Sequence, residues 1–96
     1  MAKGYWIALY RAVSDPAALA EYAKLAGPAI ESGGGRFLVR GIAMKTYEQG
    51  LAQRTIVIEF DSVQKAMQTF ESEAYKKALH VLGHAAERDI RIVEGV

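Results

Sequence analysis

Two stretches of this chain read as β-strands with apolar side chains on both faces, and no other feature restricts the fold as much. In Tyr5–Val13, YWIALYRAV, strict alternation sets Tyr5, Ile7, Leu9 and Val13 on one face and Trp6, Ala8, Tyr10 and Ala12 on the other. In Arg54–Phe60, RTIVIEF, Ile56, Ile58 and Phe60 oppose Thr55, Val57 and Glu59. A strand in a sheet with one wet face alternates apolar with polar residues. These strands ask for cover on both sides.

The order of elements says where one layer of cover comes from. After the first strand, Ser14 or Asp15 caps a helix, with Pro16 in its first turn, where a missing N–H costs nothing. The following AALAEYAKLAGPAIES sets Leu19, Tyr22, Ala26 and Ala29/Ile30 at helical spacing, and Gly27-Pro28 predicts a kink. Three glycines, Gly33–Gly35, come next. A glycine loop that cradles phosphate follows a strand and opens a helix; here the glycines follow a helix and open a strand. Gly33 or Gly34 therefore ends the helix in the left-handed conformation, and Gly35 admits a tight turn or bulge. RFLVRG (Arg36–Gly41) is the second strand, continued past a bulge near Gly41 by AMKTY. It pairs with Arg54–Phe60 as a hairpin. Ser62 caps a helix with Val63, Ala66, Met67 and Phe70 on one face. A helix restarts at Ser72 with Tyr75, Ala78/Leu79 and Leu82 inward, and DIRIVEGV is the last strand.

The order β-α-β-β-α-β, spread over residues 1–96 as one domain, is the split βαβ or ferredoxin-like arrangement. This is an α+β fold with helices on one face of a four-stranded antiparallel sheet. Helices cover only one of the two apolar faces. Burying the other removes about several hundred Å² from water, on the order of 10 kcal/mol before association costs. A monomer leaving such a patch wet is unusual. The expected remedy is a homodimer in which two sheets pack face to face in a barrel-like sandwich.

The segments KGYWIALY, the GP of the first helix, GGRFLVRG, RTIVIEF, SEAYKKAL and VEG come in an order similar to that of a bacterial family labelled domain of unknown function 1330. That family lies within the dimeric α+β barrel superfamily, and the resemblance spans nearly the whole chain. It implies a ferredoxin-like subunit and a homodimer, and no established activity. The superfamily includes antibiotic-biosynthesis monooxygenases, muconolactone isomerases and haem-degrading enzymes, so fold alone does not choose. The chain reads SEAY where members commonly have SPEY, and in the following VLGHAAER neither Gly83 nor His84 can replace directly an arginine that members often carry in this segment. A substrate shared with those members is thereby put in question.

Composition narrows the function classes. Net charge is +1, which gives no field to gather nucleic acid or an anionic membrane, and basic residues are not clustered with exposed aromatics. The absence of cysteine removes disulfides, thiolate catalysis and zinc–thiolate sites and fits a reducing cytoplasm. No run approaches the roughly 20 apolar residues of a membrane span. The segment MAKGYWIALYRAV reads as a strand, with alternating aromatics and Arg11, rather than as a signal peptide.

Few residues offer chemistry. His80 and His84 share a helix face off the apolar stripe, without the glutamate or third acidic ligand of a metal site, so no metal is expected. His84 remains a candidate general base, as does Glu59. Arg11 and Glu59 are charges inside apolar strands; they sit at strand ends, pair with each other, or line a pocket. Arg36 and Arg40 share a strand face under strict alternation, and Arg54 begins the neighbouring strand. Together they fit a carboxylate, or else form a charged hairpin edge that discourages stray pairing. Tyr22, Tyr47 and Tyr75 can orient a ligand hydroxyl or carbonyl, although Tyr22 and Tyr75 stand at core spacing. Trp6 and Met67 read as core.

Two readings of function follow. One is an enzyme without metal or organic cofactor, of isomerase or monooxygenase type, acting on a small aromatic or carboxylated metabolite. Arg40 and Arg54 would clamp the anion, with Tyr22 and Tyr47 beside them. The other is a non-catalytic small-molecule-binding or interaction module. A haem site would need an axial histidine facing the cleft.

Overall fold

Each helix of the chain starts at a side chain suited to begin it. In the computed structural model, which describes residues 2–96, Asp15 Oδ1 accepts from the Ala18 N–H at 3.1 Å and opens α1 (Pro16–Ser32). Ser62 Oγ accepts from the Lys65 N–H at 3.1 Å before α2 (Val63–Phe70), and Ser72 Oγ accepts from the Tyr75 N–H at 3.2 Å before α3 (Glu73–Leu82). Each bond satisfies a donor that the first helical turn leaves orphaned. α1 is continuous through Pro28. Gly34, with φ of 95°, is the left-handed residue after it, whereas Gly33 stays right-handed at φ −81°. At Gly35 the chain passes so close to the core that an added Cβ would lie 2.6 Å from Ile30 Cγ2 and 2.8 Å from Phe60 Cζ.

The strands are β1 (Gly4–Val13), β2 (Arg36–Ile42), β3 (Arg54–Phe60) and β4 (Ala86–Glu94). They form one antiparallel sheet in the order β2-β3-β1-β4. This is the expected ferredoxin-like α+β architecture, with the second helical segment divided into α2 and α3. The helix-facing side of the sheet carries Trp6, Ala8 and Tyr10 of β1 and Ile56, Ile58 and Phe60 of β3, all buried. They meet Tyr22, Ala26, Ala29 and Ile30 from α1, Ala66 from α2, and Tyr75, Ala78 and Leu82 from α3. Trp6 lies at the centre, edge-on to Tyr75 at 4.8 Å between centroids and tilted against Phe70 at 5.1 Å. Met67, expected in the core, is 40% exposed instead; Thr69 takes the inward place and bonds the Lys65 carbonyl at 2.8 Å.

Two irregularities change which residues share a face. In β1 the register with β4 shifts between Tyr10 and Ala12, so Arg11 bulges; Ala12 pairs with Glu87 and Val13 with Ala86. Val13 thus joins the core side, where it packs against the buried cluster, rather than following Tyr5, Ile7 and Leu9. In β2 the shift falls between Phe37 and Val39, at Leu38 and not near Gly41 as expected, and the strand ends at Ile42 without reaching AMKTY. Arg36 pairs with Glu59 on the open face of the sheet, whereas Arg40 pairs with Ile56 on the helix-facing side. The two arginines do not share a face, because the inserted residue reverses the parity of everything after it.

Candidate functional site

The reversal at Leu38 creates the site. Beyond it, Arg40 projects toward the helix layer beside Phe37, its guanidinium 4.6 Å from the Phe37 ring centroid. Arg54 starts β3 with the parity of Ile56 and Ile58, so it faces the same way. On β4, Arg88 pairs with Tyr10 and lies on the core side with Ile90 and Ile92. Three guanidinium groups from three strands therefore border one cavity between the sheet and α1, with a volume of about 60 Å³. A water needs roughly 10–15 Å³ by this measure, so the space admits several, or part of a small molecule.

The cavity is graded in polarity. Trp6, Ile58 and Ile30 form a deep apolar floor; α1 contributes Leu19, Tyr22 and Ala26; Arg54 and Arg88 are half-buried and Arg40 is exposed at the rim. No carboxylate lines it. Among the described residues, Arg40, Arg54 and Arg88 make no ion pair, whereas Arg36 and Arg91 do. The fixed positive charge here is unmatched among the described residues.

Arg88 and two tyrosines form a hydrogen-bonded set at the wall. Arg88 Nη1 donates to Tyr22 Oη at 3.0 Å, and its guanidinium lies 5.0 Å from the Tyr22 ring centroid and 5.6 Å from that of Tyr10. Tyr22 Oη is 2.6 Å from Tyr75 Oη. Tyr75 has no exposed surface, and burial pushes its phenol well above the ordinary tyrosine value. Burial works against the Arg88 charge, but the oxygens of Tyr22 and Tyr75 outweigh it and hold the guanidinium above its ordinary value.

Of the residues singled out from sequence, Arg40, Arg54 and Tyr22 are brought together here. Tyr75 stands behind Tyr22, and Glu59, Tyr47, His80 and His84 lie elsewhere. Glu59 is on the open face, accepting from Arg36 Nε at 3.1 Å and from Tyr5 Oη at 3.0 Å. Hydrogen bonds from Arg36 first, and from Tyr5, hold its carboxyl below the usual carboxylate range. Tyr47 is exposed on the β2–β3 loop and lines a groove over the open face with Leu9, Arg11 and Asp89. His84 is exposed in the turn between α3 and β4, and His80 is exposed on α3. Among the described residues no group of three or more His, Cys, Asp or Glu side chains is placed to hold a metal ion, and no helix is long and apolar enough to cross a membrane. Arg88 escaped sequence reasoning, although in ERDIRIV it shares the parity of Ile90 and Ile92, a charge on the apolar face of its own strand.

Comparison with known proteins agrees with this architecture. Residues 3–96 match the family described as Domain of unknown function (DUF1330). The comparison with curated proteins gives no match. Among solved structures, a protein of unknown function from Rhodopseudomonas palustris is similar with a TM-score of 0.74 at 17% identity, covering 99% of this chain and 83% of that one. A candidate antibiotic biosynthesis monooxygenase from Caulobacter crescentus gives 0.61 at 17% identity, covering 99% and 90%. A dimeric ferredoxin-like protein of unknown function from Thermobifida fusca gives 0.56 at 13% identity, covering 97% and 91%. At these identities the likeness is one of fold.

Proposed function

The chain belongs to the family described as Domain of unknown function (DUF1330), and since that membership fixes no chemistry we propose its function from the cavity: the protein binds a small carboxylated molecule with a flat apolar body between its sheet and α1. The carrying observation is the convergence of Arg40, Arg54 and Arg88, none ion-paired among the described residues, on an apolar cavity with no carboxylate in its lining. Planar guanidinium groups match a carboxylate in shape and charge. Trp6, Phe37 and Tyr22 offer aromatic surface to the rest of the ligand.

One charge-assisted hydrogen bond contributes about 1.5–3 kcal/mol, so losing it weakens binding by roughly tenfold or more. Calorimetric titration with benzoate, phenylacetate and 4-hydroxybenzoate tests the reading. At least one should bind, and Arg54→Ala should weaken it about tenfold. If none binds, or if the variant binds as tightly as the parent, the proposal fails.

The assembly belongs to the same reading. The open face carries Tyr5, Ile7, Leu9 and Val57, with Val39 and Val93 close to half exposed. A second copy covers it, and a fold neighbour is itself described as dimeric. A catalytic version has one observation behind it, the candidate monooxygenase among the fold neighbours. It would act on the same ligand without a metal or organic cofactor, by proton transfer or by reaction of dioxygen with a carbanion of the ligand, which supplies all the electrons as a CH2 centre becomes C=O and the second oxygen atom leaves as water. Recovery of the bound carboxylate unchanged after aerobic incubation favours binding alone; a changed product favours the enzyme.

A further inference from the structure

The hydrogen bond between Tyr22 and Tyr75 has a direction that the surrounding atoms decide. Tyr75 has no exposed surface, and among the described residues its hydroxyl has no hydrogen-bond acceptor but Tyr22 Oη, at 2.6 Å, because the nearby Arg88 can only donate. If Tyr22 donated, the Tyr75 proton would be buried without an acceptor, which costs about 1–3 kcal/mol. The favourable arrangement has Tyr75 donating to Tyr22. Arg88 also donates to Tyr22 Oη, at 3.0 Å. Both lone pairs of that oxygen are then occupied, and its own proton has no taker among the described residues. Tyr22 lines the cavity.

We propose that Tyr22 donates its hydroxyl proton in a hydrogen bond to an oxygen of the bound molecule, with Tyr75 and Arg88 as positioning residues that fix the direction of that bond. Resting on the carboxylate-binding reading above, it narrows the ligand to a class. The molecule carries a carboxylate for Arg40 and Arg54 and a second acceptor oxygen, a carbonyl or phenolate, farther along its flat body. Burial that keeps the Tyr75 phenol protonated preserves the proton it donates. Two donors on one phenol oxygen also make its remaining proton a stronger donor.

Two probes of nearly equal size isolate the second oxygen: 4-acetylbenzoate has a carbonyl where 4-ethylbenzoate has none. The parent protein should bind the acetyl compound at least threefold more tightly. Tyr22→Phe should abolish that preference, and Tyr75→Phe should reduce it while leaving 4-ethylbenzoate affinity unchanged. A merely structural role for Tyr75, which does not line the cavity, would weaken both probes alike and overturn the positioning assignment. Arg54→Ala should weaken both probes equally. If both probes bind through Arg54 but the parent shows no preference, or Tyr22→Phe retains it, the Tyr22 assignment is overturned and the carboxylate reading stands. If neither probe binds the parent, both fall. Should Tyr22→Phe fail to fold, as read by far-ultraviolet circular dichroism, the parent's own preference and the Tyr75→Phe comparison still decide.

Discussion

Glu59 and Arg88 are each a charge set in a mostly apolar strand, and their surroundings give them opposite tasks. Glu59 meets Arg36, which also reaches Asp61 Oδ1 at 3.2 Å, so its charge is answered within the chain. Among the described residues Arg88 meets the phenols of Tyr22 and Tyr10 and no carboxylate. The Glu59 contacts carry a pH dependence. Its carboxyl titrates lower in the folded chain than in the unfolded one, held there by Arg36 first and Tyr5 second. Between those two values the unfolded chain binds more protons, so stability rises with pH. The contribution is complete above the ordinary glutamate value of about 4.3 and is lost as the pH falls through the depressed folded value. Glu59→Gln should therefore be less stable than the parent at neutral pH. The gap between their urea midpoints should narrow steadily as the pH is lowered from about 5 to 3. A gap that stays constant over that range would mean the pair contributes nothing through its charge.

At the scale of elements, the turn from α1 into β2 shows how closely backbone and core are fitted. A Cβ at Gly35 would press on Ile30, Phe60 and Ile58 together, the last at 2.9 Å. Phe60 has no exposed surface and cannot move aside. Overpacking of this kind costs typically about 1–3 kcal/mol, so Gly35→Ala should lower the urea midpoint by a corresponding amount with an unchanged slope. The glycine run was legible as a helix stop followed by a strand because order along the chain separates that from a phosphate loop. The element sequence, the caps and the helix-facing residues of β1 and β3 were legible too, since periods of 3.6 and 2 survive in a single sequence. What alternation cannot register is an inserted residue. The bulge at Leu38 sends Arg36 and Arg40 to opposite faces, and the one at Arg11 brings Val13 inward and Ala12 outward. Bulges are set by strand partners, which local pattern does not contain. So Arg40, Arg54 and Tyr22 were visible as candidates, but their meeting with Arg88 around one cavity was not.

The whole molecule is a slab of 35 × 32 × 16 Å, a sheet with helices on one side. Its open side has an apolar stripe across the four strands, Val39, Val57, Tyr5, Ile7, Leu9 and Val93. Four charges on that side are already answered by their own chain: Arg36 with Glu59, and Arg91 with Asp89 at 2.8 Å. An ion pair formed before association enters an interface more cheaply than two lone charges, because each ion brings its counter-charge with it. A typical stable interface buries about 800 Å² per partner, and a face of these dimensions can supply it. Light scattering at micromolar concentration should accordingly report twice the 10.5 kDa of one chain. Val57→Lys places a charge without a partner in the middle of the stripe and should shift the protein to single chains. Far-ultraviolet circular dichroism should stay unchanged, because Val57 points away from the core. The cavity lies on the opposite side of the sheet, so this variant separates assembly from ligand binding. Single chains that still bind benzoate through Arg54 would make the cavity self-sufficient. Single chains that lose binding would mean that pairing holds the sheet and its three arginines in shape. A parent that is itself a stable, folded single chain would remove the sheet-to-sheet assembly altogether, and the apolar stripe would then need a different partner.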